Sequence, residues 1–304
     1  MTVSPTKDFQ AQLPKCSRDS LSPVWIGDGG TATALQKMGL PIGSAPESWT
    51  LTHPEAVVMV ARKYRNAGAD FVLTNTFGAN RFRLEGSGLE PEVDRLNRSA
   101  VELAREGISG SARSGRGRVY GSIGPTGLEP AEVASNRTEI ARVLTAQIEA
   151  LARAGVDGLV VETSMSAMEA AIVLKAARAA RLETIVSFAC CVVGREARTL
   201  GGDSLDESFQ KMRDSGAHGL GVNCVAVREI ESVVGLFPTD IPIWLKPNAG
   251  IPETVASGLA CPDTDEEMVS ALSRFEIPNL AYVGGCCGTG VSFTERLRQS
   301  MGGR

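Results

Sequence analysis

The chain has 304 residues, of which 43% are hydrophobic and 22% charged, and its 31 Lys+Arg against 35 Asp+Glu leave a formal charge of −4. This length exceeds the ~150 residues of an average domain but suits a single α/β barrel of ~250, and the composition excludes a disordered, collagen-like or disulfide-stapled chain. The acidic balance and 5% aromatic content leave no basic surface or stacking platform for nucleic acid or an anionic membrane, and no run approaches the ~18 apolar residues of a membrane span.

Residues 1–23 show no apolar h-region and no cleavage pattern. They are expected to be a flexible N-terminal segment of a cytoplasmic protein, ahead of one domain over 24–304. From Val24 onward, β-branched runs alternate with helical patterns. Strands are predicted at 24–29, 71–77, 118–124, 158–163, 184–191, 219–224, 242–247 and 281–287. Helices are predicted at 53–68, 91–107, 138–155 and 166–180, with Gly68, Gly107 and Gly155 as left-handed caps. Near-continuous apolar strands suit a sheet covered on both faces. About eight β-then-α units predict a single-domain (β/α)8 barrel, a TIM barrel, rather than an open doubly wound sheet. Neither GxGxxG nor GxxxxGK[ST] is present, so a Rossmann or P-loop reading has no phosphate cradle.

In such a barrel the functional residues sit at the C-terminal strand ends. Those ends read GDGG, TNTF, GPTG, VET, ACC, VNC, KPNAG and GGCCG in chain order. They are polar, glycine-rich and cysteine-rich, although the strands leading into them are apolar. Seven cysteines without a secretory context are expected as thiols, metal ligands or core residues rather than a disulfide framework. Cys224 ends the sixth strand and Cys286–Cys287 the eighth, on the same rim. Three thiolates there can bind zinc tetrahedrally with the fourth position open. Adjacent strand residues point to opposite faces, so Cys286 and Cys287 reach one metal only through a kink, which Gly284, Gly285 and Gly288 permit. Free cysteine is often simply buried, but a glycine-bracketed pair at a strand end is hard to justify by packing. Cys190–Cys191 has no such bracket and reads as burial, one thiol toward the barrel and one toward the helices. Cys16 and Cys261 fall in loops.

A three-thiolate zinc site suits activation of a fourth thiol, because coordination removes the thiol proton. Conventional acid–base groups are scarce: His53 and His218 lie at helix–strand junctions, where solvated or capping roles dominate. Asp28 precedes Gly29 and Gly30 and a predicted helix start, whose N–H groups can hold a carboxylate; an N-cap role for Asp28 is compatible with this. Glu162 lies in the otherwise apolar GLVVET, and a buried carboxylate needs a partner. Asp28 and Glu162 together can hold an ammonium. Ammonium, carboxylate and thiol sites on one rim describe an amino-acid thiol.

The segments GDGGTATALQ, TNTFGANRFRL, GSIGPTG, GLVVET, GVNC, KPNAGIPE and GGCCG, in this order, resemble the zinc-dependent homocysteine S-methyltransferase family over residues 24–300. GVNC followed about sixty residues later by GGCCG is the specific part. The resemblance implies zinc on Cys224, Cys286 and Cys287 and homocysteine as the methyl acceptor, giving methionine. It implies Asp28 and Glu162 on the homocysteine amine, the backbone at Gly29 and Gly30 on its carboxylate, and Asn75 on the site wall. After Cys287 the family often reads GTTP with a following His; here Gly288-Thr289-Gly290-Val291 has neither Pro nor His, which leaves the shape of that loop open. Gly78 and Thr163 stand where betaine-using members carry aromatics, and Trp49 alone makes a poor cage for a quaternary ammonium. The compact length is similar to S-methylmethionine-using members, so S-methylmethionine or another sulfonium is the expected donor. GPTG, Arg198-Thr199-Leu200-Gly201-Gly202 and KPNAG also resemble the homocysteine module of cobalamin-dependent methionine synthase. The alternative is therefore a free-standing component that takes the methyl group from a separate methyl-corrinoid protein. The oligomeric state is left open by these patterns.

Overall fold

A computed structural model of the chain describes residues 23–194, 196–250, 253–255, 258–260 and 262–302. The expected flexible segment (residue 23 apart), with Cys16, and Cys261 lie outside the described residues. The barrel strands are β1 (Trp25–Ile26), β2 (Phe71–Leu73), β3 (Arg118–Ile123), β4 (Gly158–Ser164), β5 (Thr184–Phe188), β6 (Gly219–Ala226), β7 (Ile243–Asn248) and β8 (Leu280–Val283). They pair in parallel in the order β1-β8-β7-β6-β5-β4-β3-β2. The seam between β1 and β2 is closed by the Asp70 N–H to Ile26 O bond of 2.6 Å and by two carboxylates. Asp70 Oδ2 accepts from Ile26 N at 2.8 Å, and Asp28 Oδ2 accepts from Leu73 N at 2.7 Å. The result is the expected (β/α)8 barrel.

Each strand is followed by a covering helix: α1 (Pro54–Asn66), α2 (Val93–Ser109), α3 (Arg137–Ala154), α4 (Ala167–Ala179), α5 (Leu205–Asp214), α6 (Val227–Val233), α7 (Asp265–Leu272) and α8 (Val291–Met301). Their apolar stripes, such as Leu96, Ala100, Val101 and Ala104 on α2, pack on the outer face of the sheet, as the 3.6-residue period requires. Inside the ring a second cluster of Phe71, Leu73, Tyr120, Val160, Ile185, Trp244 and Tyr282 fills the lumen. Its rings meet tilted or edge-on, Phe71 lying 5.5 Å from Tyr120 and 5.2 Å from Trp244. Small residues on neighbouring strands make the room: a Cβ on Gly221 would lie 1.8 Å from the Trp244 carbonyl oxygen. No helix among the described residues is long and apolar enough to cross a membrane.

Several boundaries differ from the sequence reading for local reasons. Gly68 and Gly155 do follow their helices with positive φ, but α2 runs through Gly107 to Ser109. Gly107 is there for close approach, since a Cβ would meet Ala61 Cβ and Val58 O of α1 at 2.6 Å. The fifth strand stops at Phe188; Cys190–Val193 pairs antiparallel with Glu196–Thr199 in a separate hairpin. Strong β-formers thus continue past the barrel rim without belonging to the barrel. The runs ending at 77 and 287 also stop early, at Leu73 and Val283, as the chain leaves the sheet toward turns at Phe77–Gly78 and Cys287–Gly288. Phe71, fully buried among three aromatic rings, is the clearest lever on stability. Phe71→Ala should lower the unfolding free energy by about 3–5 kcal/mol, measured by urea denaturation.

Candidate metal centre and substrate cavity

Three sulfurs converge at the C-terminal mouth. The Sγ atoms of Cys224, Cys286 and Cys287 all lie within 4.8 Å of one another. Tetrahedral thiolates on one ion with ~2.3 Å bonds sit about 3.8 Å apart, so this set fits a zinc-sized ion without rebuilding the backbone. The kink is built as the glycines suggested. The eighth strand ends at Val283, and Gly288 takes φ +82°. Cys224 itself has φ +59°, a left-handed conformation that an L residue adopts only when its surroundings impose it. The β6–β7 register shifts between Asn223 and Ala226, at this point.

The end of β7 holds the cysteine loop. Cys286 N–H donates to Pro247 O at 2.8 Å, Cys287 N–H to Asn248 Oδ1 at 3.2 Å, and Ala249 N–H to Cys287 O at 2.9 Å. Asn248 Nδ2 reaches Cys224 Sγ at 3.8 Å, and Asn223 Nδ2 reaches Cys286 Sγ at 3.9 Å. The departure from the family pattern after Cys287 leaves a closed turn: Thr289 is fully buried, and its hydroxyl donates to Cys286 O at 2.7 Å. It also accepts from Gly30 N–H at 3.3 Å, tying the last β–α loop to the first. Hydrogen bonds from Cys286 and Cys287 hold the Cys224 thiol well below its ordinary pKa, while the shared protons push Cys286 and Cys287 up. Such a cluster carries one thiolate readily; three thiolates side by side require a cation.

The thiols line a cavity of about 590 Å³, together with Gly29, Gly30, Asn75, Glu162, Thr163 and Lys246. Pockets for small organic ligands run from about 300 to 1,000 Å³. Glu162 is buried and accepts from the Ser122 hydroxyl at 2.5 Å. Burial raises its pKa to about 7, opposed by the Lys246 charge. Thr163 beside it is left-handed at φ +55° and is held by Asn223, whose Oδ1 accepts from Thr163 N at 2.8 Å.

Asp28 and Asn75 are both held by hydrogen bonds to neighbouring elements. Asp28 is 1% exposed, and its two oxygens accept from Lys246 Nζ and Leu73 N, both at 2.7 Å. It lies against a small adjoining void rather than on the main cavity wall. The N-cap of the helix Thr31–Lys37 is Gly30, not Asp28. Asn75 lines the cavity but gives its amide nitrogen to Pro46 O at 2.8 Å and Thr50 Oγ1 at 3.2 Å, fastening the 46–50 segment. Lys246, Asn223 and Asn248 were not singled out from the sequence; Asn223 and Lys246 stand in the GVNC and KPNAG strand ends, which was the available signal. Cys190 is buried, its thiol pushed up to about 12 by that burial. His53 caps α1 and stacks on the buried Trp49, and His218 Nδ1 accepts from Thr184 N at 3.1 Å.

A (β/α)8 barrel with three thiols gathered at its mouth is the class defined by this geometry. The family model described as homocysteine S-methyltransferase matches residues 25–301, and the chain belongs to that family. It is 30% identical over 284 residues to the methionine synthase of Mycobacterium tuberculosis (strain ATCC 25618 / H37Rv) and 27% identical over 280 to that of Mycobacterium leprae (strain TN), covering 88% of this chain each time. The matched stretch is 24% and 23% of those relatives, so the chain spans about a quarter of their length. The homocysteine methyltransferase MmuM from Escherichia coli shares the fold. Its metallated form superposes with a TM-score of 0.74 at 22% identity over 92% of this chain and 96% of that one, and its apo form with 0.69 at 23% identity over 92% and 97%.

Glu162 gives the site a pH signature. Its folded pKa of about 7 lies above the ordinary 4.5, so the stability it leaves intact below pH 4.5 is lost as pH rises through 7. Metal-free protein should therefore lose stability between pH 4.5 and 7, and Glu162→Gln should flatten that part of the profile, read from denaturation midpoints at each pH.

Proposed function

We propose that the protein transfers a methyl group to the thiol of homocysteine, giving methionine, with zinc held by Cys224, Cys286 and Cys287. The observation that carries this reading is the meeting of the three thiols on the wall of a cavity that also presents Glu162. Zinc so held, with one position open, supplies a thiolate from a substrate thiol at neutral pH. The chain's own part is positional. Glu162 takes the substrate ammonium, Asn223 and Asn248 orient the thiols by weak N–H···S bonds, and the Cys286 turn is locked by Thr289. Holding acceptor and donor in one enclosed space removes the entropy of their encounter. A reducing compartment, the cytoplasm, keeps the three sulfurs as ligands.

A sulfonium such as S-methylmethionine fits the donor side. Among the described residues Phe77 is the aromatic lining the cavity, and Trp49 is buried against His53, so these residues assemble no cage for betaine. Glu47, accepting from Gly78 N–H at 2.5 Å, and Arg83 offer charges that suit a second amino acid. The second reading, a separate methyl-corrinoid protein as donor, is favoured by one observation: methionine synthases contain this chain's match as a quarter of a longer protein.

Zinc-loaded, reduced protein given homocysteine and S-methylmethionine alone should form methionine, measured by chromatography. No turnover with zinc still bound points to the corrinoid donor. Cys224→Ala should lose most of its zinc by elemental analysis together with activity; full zinc retention with unchanged turnover overturns the ligand set.

A further inference from the structure

The cavity extends well beyond the corner that holds the thiols. In the ring of eight strands β2 stands opposite β6, so the short helix Arg81–Leu84 that follows β2 lies across the mouth from Cys224. Asn80 caps that helix, its Oδ1 accepting from Arg83 N at 3.1 Å. The Arg83 side chain is exposed at the rim and lines the cavity. It lies along the GPTG turn: a Cβ on Gly127 would come 3.3 Å from Arg83 Cδ and 3.1 Å from its Nη1. Among the described residues the Arg83 guanidinium meets no hydrogen-bond acceptor and no carboxylate. Glu47 stands beside it, where a Cβ on Gly78 would meet Glu47 Oε1 at 3.1 Å and Arg83 Cβ at 3.5 Å. Burial raises the Glu47 pKa, while the Gly78 N–H and the Arg83 charge oppose that rise. The two groups therefore sense each other without forming an ion pair, and both face the cavity.

We propose that Arg83 binds the carboxylate of a zwitterionic sulfonium donor and so directs its sulfonium toward the thiols. This deepens the reading of a sulfonium as the methyl donor and rests on it. The argument is one of charge placement. Three thiolates around a divalent ion carry one net negative charge, and Arg83 offers an unpaired positive charge on the far side of the same cavity. A ligand with a positive and a negative end is oriented by two such poles. The planar fork of a guanidinium matches a carboxylate, and a charge-assisted pair is stronger than a neutral one. A side chain already laid along the Gly127 turn gives up less rotamer freedom when it closes on a ligand. Water at the rim screens the pair, so Arg83 selects among donors rather than anchoring one tightly. Glu47 beside it suits the ammonium that an amino-acid donor carries next to its carboxylate.

The test is steady-state kinetics of zinc-loaded, reduced protein at saturating homocysteine with three donors. S-methylmethionine carries the carboxylate and the amine, dimethylsulfoniopropionate the carboxylate alone, and trimethylsulfonium neither. Arg83→Gln should raise KM for the first two by about fivefold to thirtyfold while kcat stays within about twofold, and should leave kcat/KM for trimethylsulfonium within about twofold. Arg83→Glu should weaken the two carboxylates further, and Arg83→Lys should restore part of the loss. Homocysteine affinity by calorimetry and zinc content should match wild type in each variant. Equal loss with all three donors, a fall in kcat in place of the rise in KM, or no change with the carboxylates overturns the assignment of Arg83 and leaves the sulfonium reading standing. A loss of homocysteine affinity places Arg83 on the acceptor and overturns the assignment equally. If wild-type protein with zinc bound methylates homocysteine from none of the three sulfoniums, the sulfonium reading and this assignment fall together.

Discussion

Asp28 is the residue on which the geometry of the barrel mouth hinges. β1 is only two residues long, and a strand so short cannot hold its place between two neighbours by ladder bonds alone. Asp28 extends it with side-chain bonds, one oxygen to Leu73 N on β2 and the other to Lys246 on β7. At the opposite end of the seam Asp70 does the same work for Ile26, steadied by the guanidinium groups of Arg113 and Arg298. A buried ion pair between Asp28 and Lys246 contributes little net stability once desolvation is counted, and removing one partner leaves a stranded charge. Its worth lies in register: three strands far apart in sequence are forced to end at one height, which is where the thiols and Glu162 must meet.

The functional side chains come from the places where regular strand geometry breaks. Thr163 and Cys224 are both left-handed, and at both points the pairing with the next strand shifts register. A regular β6 would send Asn223 and Cys224 to opposite faces; the break lets Asn223 grip Thr163 while Cys224 turns toward Cys286. Backbone strain of this kind, of order 1–3 kcal/mol per residue, persists because Asn223, Asn248 and the lumen packing below over-determine the positions. The aromatic plug of Phe71, Tyr120, Trp244 and Tyr282 gives the rim a rigid floor, so loops of the mouth are set on a support that does not yield.

How much of this was legible in the sequence follows from what each feature depends on. The eight strands and the GVNC and GGCCG cysteines were readable because β-branched runs and glycine-bracketed cysteines carry their meaning locally. Lys246 was not, since its partner is 218 residues away and a lysine at a strand end reads as solvated until a carboxylate is found behind it. Asp28 was read at its strand end, but its bonds to Lys246 and to Leu73 of the next strand could not be seen from the sequence for the same reason. Gly107 looked like a cap because the sequence shows a glycine near a helix end but not the second helix pressing on it. The ACCVV run looked like one barrel strand because propensity is blind to which sheet a strand joins.

The charges at the mouth constrain which donor chemistry the cavity favours. Three thiolates around a divalent ion would leave that corner of the cavity with one net negative charge, and the Lys246 charge beside it is paired with Asp28. A sulfonium donor, as proposed, would be drawn toward that charge, whereas an anionic donor would be repelled. When the methyl group passes from a sulfonium to a thiolate, the two charges disappear together and both products are neutral thioethers. A transition state in which opposite charges disperse would be favoured by a less polar medium than water, and the part of the wall made by Leu73, Phe77, Ala45 and Pro46 could supply one, while Glu162, Lys246, Glu47 and Arg83 line the rest. If zinc is held on the three cysteines as proposed, no general base is needed beside the sulfur, because coordination would remove the thiol proton and the transfer that follows would consume charge rather than move a proton.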